Sequence, residues 1–123
     1  MNSRQAIGAL GEQLAVDYVA ALGWEVVDRN WRSGRLGELD LVALEAEPKS
    51  VLVFCEVKTR SGLGFGRPTE AVTRDKLRRL RRLAWAWLGD HQRRAESLRV
   101  DVIGVLLRPG QPALVDHVRG AEL

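Results

Sequence analysis

Cysteine is almost missing from this chain, and what little there is excludes several kinds of protein. The single Cys55 cannot close an internal disulfide, and no Cys/His spacing suits zinc. No apolar run approaches the roughly 18 residues that a membrane span needs. Only two histidines and four prolines are present, and aromatic residues make up 6% of the chain. Met1-Asn2-Ser3-Arg4-Gln5 lacks the charged-then-apolar order of a signal peptide. No repeat and no internal linker interrupts the sequence. These absences lead us to expect a reduced, cytoplasmic protein without a membrane partner, with residues 1–123 forming one domain. At 46% hydrophobic and 28% charged, the chain can build a core.

Net charge is also slight, at +3 over 123 residues, so its distribution matters more than its total. Residues 73–82 hold Arg74, Lys76, Arg78, Arg79, Arg81 and Arg82 against Asp75 alone. That stretch carries +5 and leaves the remainder at −2. The basic charge is concentrated, and the acidic residues lie elsewhere.

Periodicity supplies the elements. Residues 3–22 read as a helix, with Ser3 as N-cap and Gly23 as its stop. Ile7, Leu10, Leu14, Tyr18 and Leu22 form an apolar stripe; Gly8, Gly11 and Ala15 form a second face of small residues, with Glu12 beside it. A strand over 24–28 leads into a turn at 30–34. A second strand, 36–44, sets Glu38, Asp40 and Val42 on one face. A polar turn holding Pro48 joins it to a third strand, 51–59, as a hairpin. A glycine-rich loop follows over 61–68. Thr69 then caps a helix running to Leu88 and ended by Gly89, with Val72, Lys76, Leu80, Leu83 and Trp87 roughly on one side. Strands at 99–107 and 113–119 close the chain. The order α-β-β-β-α-β-β implies an α/β fold, a mixed sheet of about five strands flanked by helices.

The third strand carries the clearest chemistry. Side chains alternate along a strand, so Glu56 and Lys58 share the face of Leu52 and Phe54. A carboxylate and an ammonium on an apolar face are costly unless they are paired or bind something. If the hairpin register aligns Asp40 with Glu56, two carboxylates converge and raise each other's pKa unless a cation lies between them. Hard oxygen ligands of this kind suit Mg²⁺ or Mn²⁺. A metal held there polarises a phosphate oxygen and lowers the pKa of a bound water. Lys58 is then placed to orient or deprotonate that water, or to offset charge building on phosphorus. Glu12 and Glu38 are further candidate members of the cluster.

Three blocks of sequence, in this order and spacing, carry a family resemblance. They are Gly37-Glu38-Leu39-Asp40-Leu41, Phe54-Cys55-Glu56-Val57-Lys58-Thr59-Arg60, and Gly66-Arg67-Pro68-Thr69-Glu70-Ala71-Val72 with Lys76 beyond it. The chain resembles the YraN-like bacterial family of predicted nucleases along nearly its whole length. That family is similar to archaeal Holliday-junction resolvases and, more distantly, to the restriction-endonuclease superfamily with its Asp…Glu-x-Lys motif. The resemblance implies a restriction-endonuclease-like three-layer core. It also implies Glu12, Asp40 and Glu56 as metal-binding acids, and Asp40, Glu56 and Lys58 as catalytic residues. The implied activity is Mg²⁺-dependent (or Mn²⁺-dependent) endonuclease cleavage of branched or otherwise structured DNA. Cys55 replaces an aromatic or aliphatic residue that the family carries there, and it faces away from Glu56.

Beside such a site, Arg74, Arg78, Arg81 and Arg82 are spaced as a helical stripe able to track a phosphate backbone. Lys76 and Arg60 complete the expected nucleic-acid-binding set. Two other classes of function stay open: a nucleic-acid-binding module that does not cut, and a protein-interaction module working through the tryptophan-bearing helix. Trp85 and Trp87 read as core and subunit interface, so a homodimer is one open arrangement. Trp31, placed in a turn among Arg29, Asn30 and Arg32, reads either as a DNA contact or as packing over the sheet. His91 and His117 read as surface residues.

Overall fold

The computed structural model describes residues 3–62 and 68–121. The elements are α1 (Ser3–Ala21), β1 (Glu25–Ser33), β2 (Gly37–Glu45), β3 (Val51–Ser61), a 3-10 turn (Pro68–Ala71), α2 (Arg74–Asp90), β4 (Ser97–Arg108) and β5 (Gln111–Val118). One mixed sheet has the spatial order β1-β2-β3-β4-β5. Neighbouring strands are antiparallel except β3 and β4, which are parallel and joined by the α2 crossover, as parallel pairing requires. The protein is therefore α/β, a five-stranded mixed sheet flanked by two helices.

Each face of the sheet has its own core. On one side Val51, Val53 and Cys55 of β3, Leu41 and Ala43 of β2, and Ile103 and Val105 of β4 pack under Ala15 and Val19 of α1. On the other, Leu52, Phe54, Leu39 and Val42 pack under Leu80, Leu83, Ala84, Trp87 and Leu88 of α2. The alternation read for β3 and the apolar side read for α2 both hold. Trp87 is fully buried, whereas Trp85 is 64% exposed and belongs to no core.

Several expectations need correction. In α1 the buried positions are Gly11, Ala15 and Val19, while Leu10 and Leu22 are exposed. Gly11, Ala15 and Val19 face the sheet most directly, while Leu14 and Tyr18 of the expected stripe pack against the core only partly buried. A Cβ at Gly11 would stand 1.8 Å from Thr59 Oγ1, so only a small side lets α1 approach β3 so closely. The turn expected at 30–34 is strand as far as Ser33, and the turn itself falls at 34–36. β1 continues through Trp31 to Ser33, and Asn30 holds φ 50° within it, a conformation asparagine tolerates. Trp31 accordingly packs against the α2-side core. The cap of α2 is Thr73, whose hydroxyl accepts from Lys76 N at 3.3 Å. Thr69 instead lies in the 3-10 turn and donates to Asp116 at 3.0 Å. Pro68 and Thr69 sit directly over Gly104, where a Cβ would come within 2.9 Å of Pro68. The side chain of Ser3, read as a cap, and Gly64, Gly66 and Arg67 of the glycine-rich loop lie outside the described residues. No described helix is long and apolar enough to cross a membrane.

Candidate functional site

The site forms where β2 and β3 part. Their ladder ends at Leu41↔Cys55, while β3 continues along β4 to Ser61↔Leu107. One step further, where the register would set Asp40 opposite Glu56, the ladder gives way to a side-chain bond. Asp40 Oδ2 accepts from Val57 N at 2.8 Å. Leu39 lies in the α2-side core and Leu41 in the α1-side core, so face alternation breaks at Asp40. Glu38, Asp40 and Val42 therefore do not share one regular face, contrary to the strand reading. The break turns the Asp40 carboxylate into the gap between the strands.

Three carboxylates meet in that gap. Glu12 from α1 and Glu38 and Asp40 from β2 each offer an oxygen, all within 4.8 Å of one another. With its amide nitrogen turned toward them, Asn30 donates to Glu38 Oε1 at 2.9 Å and Glu12 Oε2 at 3.2 Å. Arg32 pairs with Glu38 from the solvent side at 2.9 Å. Burial raises the Asp40 carboxyl to about 7, with help from Glu56, Glu12 and Glu38 and against the Val57 N–H. Glu12 is raised by burial first, then by Glu38 and Glu56, with Arg29 opposing. Burial and crowded like charge are the condition in which a carboxylate cluster holds a cation. The donors are all hard oxygens, so the set fits Mg²⁺ or Mn²⁺.

Glu56 lies beside this group, close enough to raise both Asp40 and Glu12. Its own carboxylate is paired with Lys58 Nζ at 3.4 Å. Lys76, on the first turn of α2, reaches the same place; the Lys58 ammonium beside it is the main cause that lowers its pKa. Cys55 is fully buried on the opposite face, and burial pushes its thiol well up, so it is no nucleophile.

Not every expected residue comes to this point. Arg74, Arg78, Arg81 and Arg82 are exposed; Arg81 lies beside Phe54 and Ala84, and Arg78 pairs with Asp75 at 3.4 Å. The basic residues that α2 turns toward the site are Lys76 and Arg79, whose Cδ lies 3.9 Å from where a Gly37 Cβ would be. Arg60 lies further along β3. Sequence reasoning missed Asn30 and Arg79. Arg79 stands three residues after Lys76, and that spacing on a helix was the available signal.

Fold and site together define a class: an α/β protein whose mixed sheet opens at one end onto a carboxylate cluster backed by lysines. The chain belongs to the uncharacterised protein family UPF0102, the YraN family, whose model matches residues 11–105. It is 54% identical over 120 residues to a UPF0102 protein of Beutenbergia cavernae, an alignment covering 98% of each chain. It is 47% identical over 119 residues to one of Nocardia farcinica, covering 97% of this chain and 91% of that one. Against one of Mycobacterium tuberculosis it is 48% identical over 121 residues, covering 96% and 93%.

Proposed function

We propose that the protein is a divalent-metal-dependent endonuclease that hydrolyses phosphodiester bonds in branched or structured DNA. One observation carries the reading: the carboxylates of Glu12, Glu38 and Asp40 converge within 4.8 Å, beside a Glu56–Lys58 pair at 3.4 Å. The resemblance to Asp…Glu-x-Lys nucleases supports it and supplies the substrate class.

A bound Mg²⁺ or Mn²⁺ would polarise a phosphate oxygen and acidify a water. The chain's own residues do the rest. The Val57 N–H holds Oδ2 of Asp40 and leaves Oδ1 for a ligand. Asn30 steadies the two glutamates. Glu56 holds Lys58 in place, where its ammonium orients the attacking water or offsets negative charge developing on phosphorus. Lys76 and Arg79 add positive charge on the α2 side, which draws the substrate backbone in.

The test is a cleavage assay with Mg²⁺ or Mn²⁺ over branched, single-stranded and duplex DNAs. We expect Lys58→Ala to abolish cutting and leave binding nearly intact, since an interaction made at the transition state lowers turnover more than affinity. Glu56→Ala should lose cutting too. A parent that cuts no DNA in the panel with either metal points instead to a module that binds without cleaving. Equal cutting by parent and Lys58→Ala removes Lys58 from the mechanism.

A further inference from the structure

We infer that the strand being cut leaves the carboxylate cluster through the cleft between the first turns of α1 and the open edge of β3, and that this cleft takes a single, unpaired nucleic-acid strand. The inference rests on the phosphodiester reading above. The cleft has a volume of about 610 Å³ and shares Lys58 with the candidate site. Arg4, Ile7 and Gly8 form one wall; Lys58, Thr59 and Arg60 form the other. Three of its lining residues are cationic and none is anionic, the charge that a phosphate backbone needs.

The cleft exists because β2 leaves the sheet early. Beyond Cys55, no described strand pairs with β3 on its β2 side, although β4 follows it to Ser61. Val57 N–H points toward that open side, since it donates to Asp40. Backbone alternation sends the N–H groups of Thr59 and Ser61 the same way. A strand lying there meets main-chain donors on one wall and arginines at both. A volume of about 610 Å³ has no room for two backbones with paired bases between them, so the cleft suits one strand.

Two glycines of α1 sharpen the argument. Glycine within a helix costs stability, so each needs a reason. Gly11 has one, because Thr59 occupies the space a Cβ would take. Gly8 has no such packing demand: a Cβ there would meet nothing within 4 Å. What Gly8 does is keep the cleft empty, and any larger side chain at that position projects into it.

The experiment uses the full chain with a labelled single-stranded oligonucleotide and a duplex of equal length, with binding followed by fluorescence anisotropy in a chelator so that no cutting occurs. The parent should prefer the single strand. Gly8→Leu, a better helix former, should melt no lower than the parent yet bind the single strand several-fold more weakly. Arg4→Gln should also weaken binding, and should flatten the plot of log affinity against log salt by about 0.7, the expectation for one phosphate contact on a single strand. Gly8→Ala serves as the control if Gly8→Leu does not fold, and its intermediate size should give an intermediate loss. Parent-like single-strand binding by folded Gly8→Leu and by Arg4→Gln overturns the inference. If Asp40→Ala still abolishes stabilisation by Mg²⁺ or Mn²⁺ in that case, the carboxylate site stands without the cleft. If single-strand binding depends on Gly8 and Arg4 but no metal stabilises the parent, the cleft stands and the metal site falls.

Discussion

Asp40 concentrates the cost of this site in one side chain. It lies within a crowd of carboxylates, and burial together with that crowding lifts its pKa from 3.8 to about 7. A pKa that is higher folded than unfolded means that the native state binds the proton more tightly. The associated stability is present in full below about pH 4 and drains away as pH rises to about 7. Asp40→Asn keeps an acceptor for the Val57 N–H and removes the charge. The metal-free variant should therefore exceed the parent by about 1–4 kcal/mol at pH 8 and by nothing below pH 4, as one pKa unit corresponds to about 1.4 kcal/mol. Denaturant unfolding at the two pH values measures this; a variant weaker than the parent at pH 8 contradicts it. Mg²⁺ or Mn²⁺ should stabilise the parent and not Asp40→Asn, and the effect should fade as pH falls through 7, because a ligating carboxylate must be deprotonated. The residues of this site were unevenly legible. Glu56 and Lys58 follow from alternation along one strand, and Asp40 from its motif. Glu12 rested on the resemblance, because a glutamate on a helix has no local feature that says where its helix will dock. Asn30 and Arg79 depend on the exact path of β1 and the rotation of α2, which tertiary packing sets.

At the scale of the element, α1 shows how a sequence pattern misleads when approach distance decides. The large apolar residues have the helical period, yet Gly11, Ala15 and Val19 are the buried ones, and Leu14 and Tyr18 pack only at the margin of that core. A helix that must bring Glu12 within reach of Glu38 and Asp40 has to sit close to β3, and Thr59 fills the contact. Gly11→Ala should accordingly cost about 1–3 kcal/mol, the usual range for overpacking, despite alanine's better helix propensity. Adding Thr59→Gly should recover part of the loss. Equilibrium unfolding decides this, and a Gly11→Ala variant as stable as the parent would mean that α1 does not dock this tightly. The other helix was easier to read, because α2 buries large residues at three- and four-residue spacing. Its start was misplaced because Pro68 and Thr69 carry turn chemistry that serves β4, while the true cap is Thr73.

Across the whole molecule, the two histidines expected at the surface are both tied into the packing, His117 in the interior and His91 half-buried. His91 stacks on Trp87 with ring centres 4.1 Å apart. His117 is 6% exposed at its side chain and joins α1 to the far edge of the sheet. Its Nε2 donates to Asp101 Oδ2 at 2.7 Å, and its Nδ1 meets the Tyr18 hydroxyl at 2.9 Å. Asp101, wholly buried, also accepts from Arg99 Nε at 2.8 Å and from Gly120 N at 3.0 Å. Arg99 continues to Glu45 of β2 at 2.9 Å. No local pattern reveals such a network, because its members stand as far as 99 residues apart. Burial alone pushes the Asp101 carboxyl up, but His117, Arg99 and the Gly120 N–H together hold it below its usual value. A depressed carboxyl contributes stability above its unfolded pKa, and loses it as pH falls through the lower folded value. Asp101→Asn keeps the shape but replaces an acceptor with an amide nitrogen among donors. Breaking a buried ion pair from one side costs about 3–5 kcal/mol, and the variant should lose stability on that order at pH 7, with much less of the difference remaining in strong acid. Because Asp101 ties β4 to the end of β5, hydrogen exchange should quicken first in β5. The carboxylate cluster is built from α1 and β2, so any variant molecules still folded should keep their response to divalent metal. A loss under 1 kcal/mol, or exchange in β5 no faster than in the parent, would show that the closure of the sheet does not depend on Asp101.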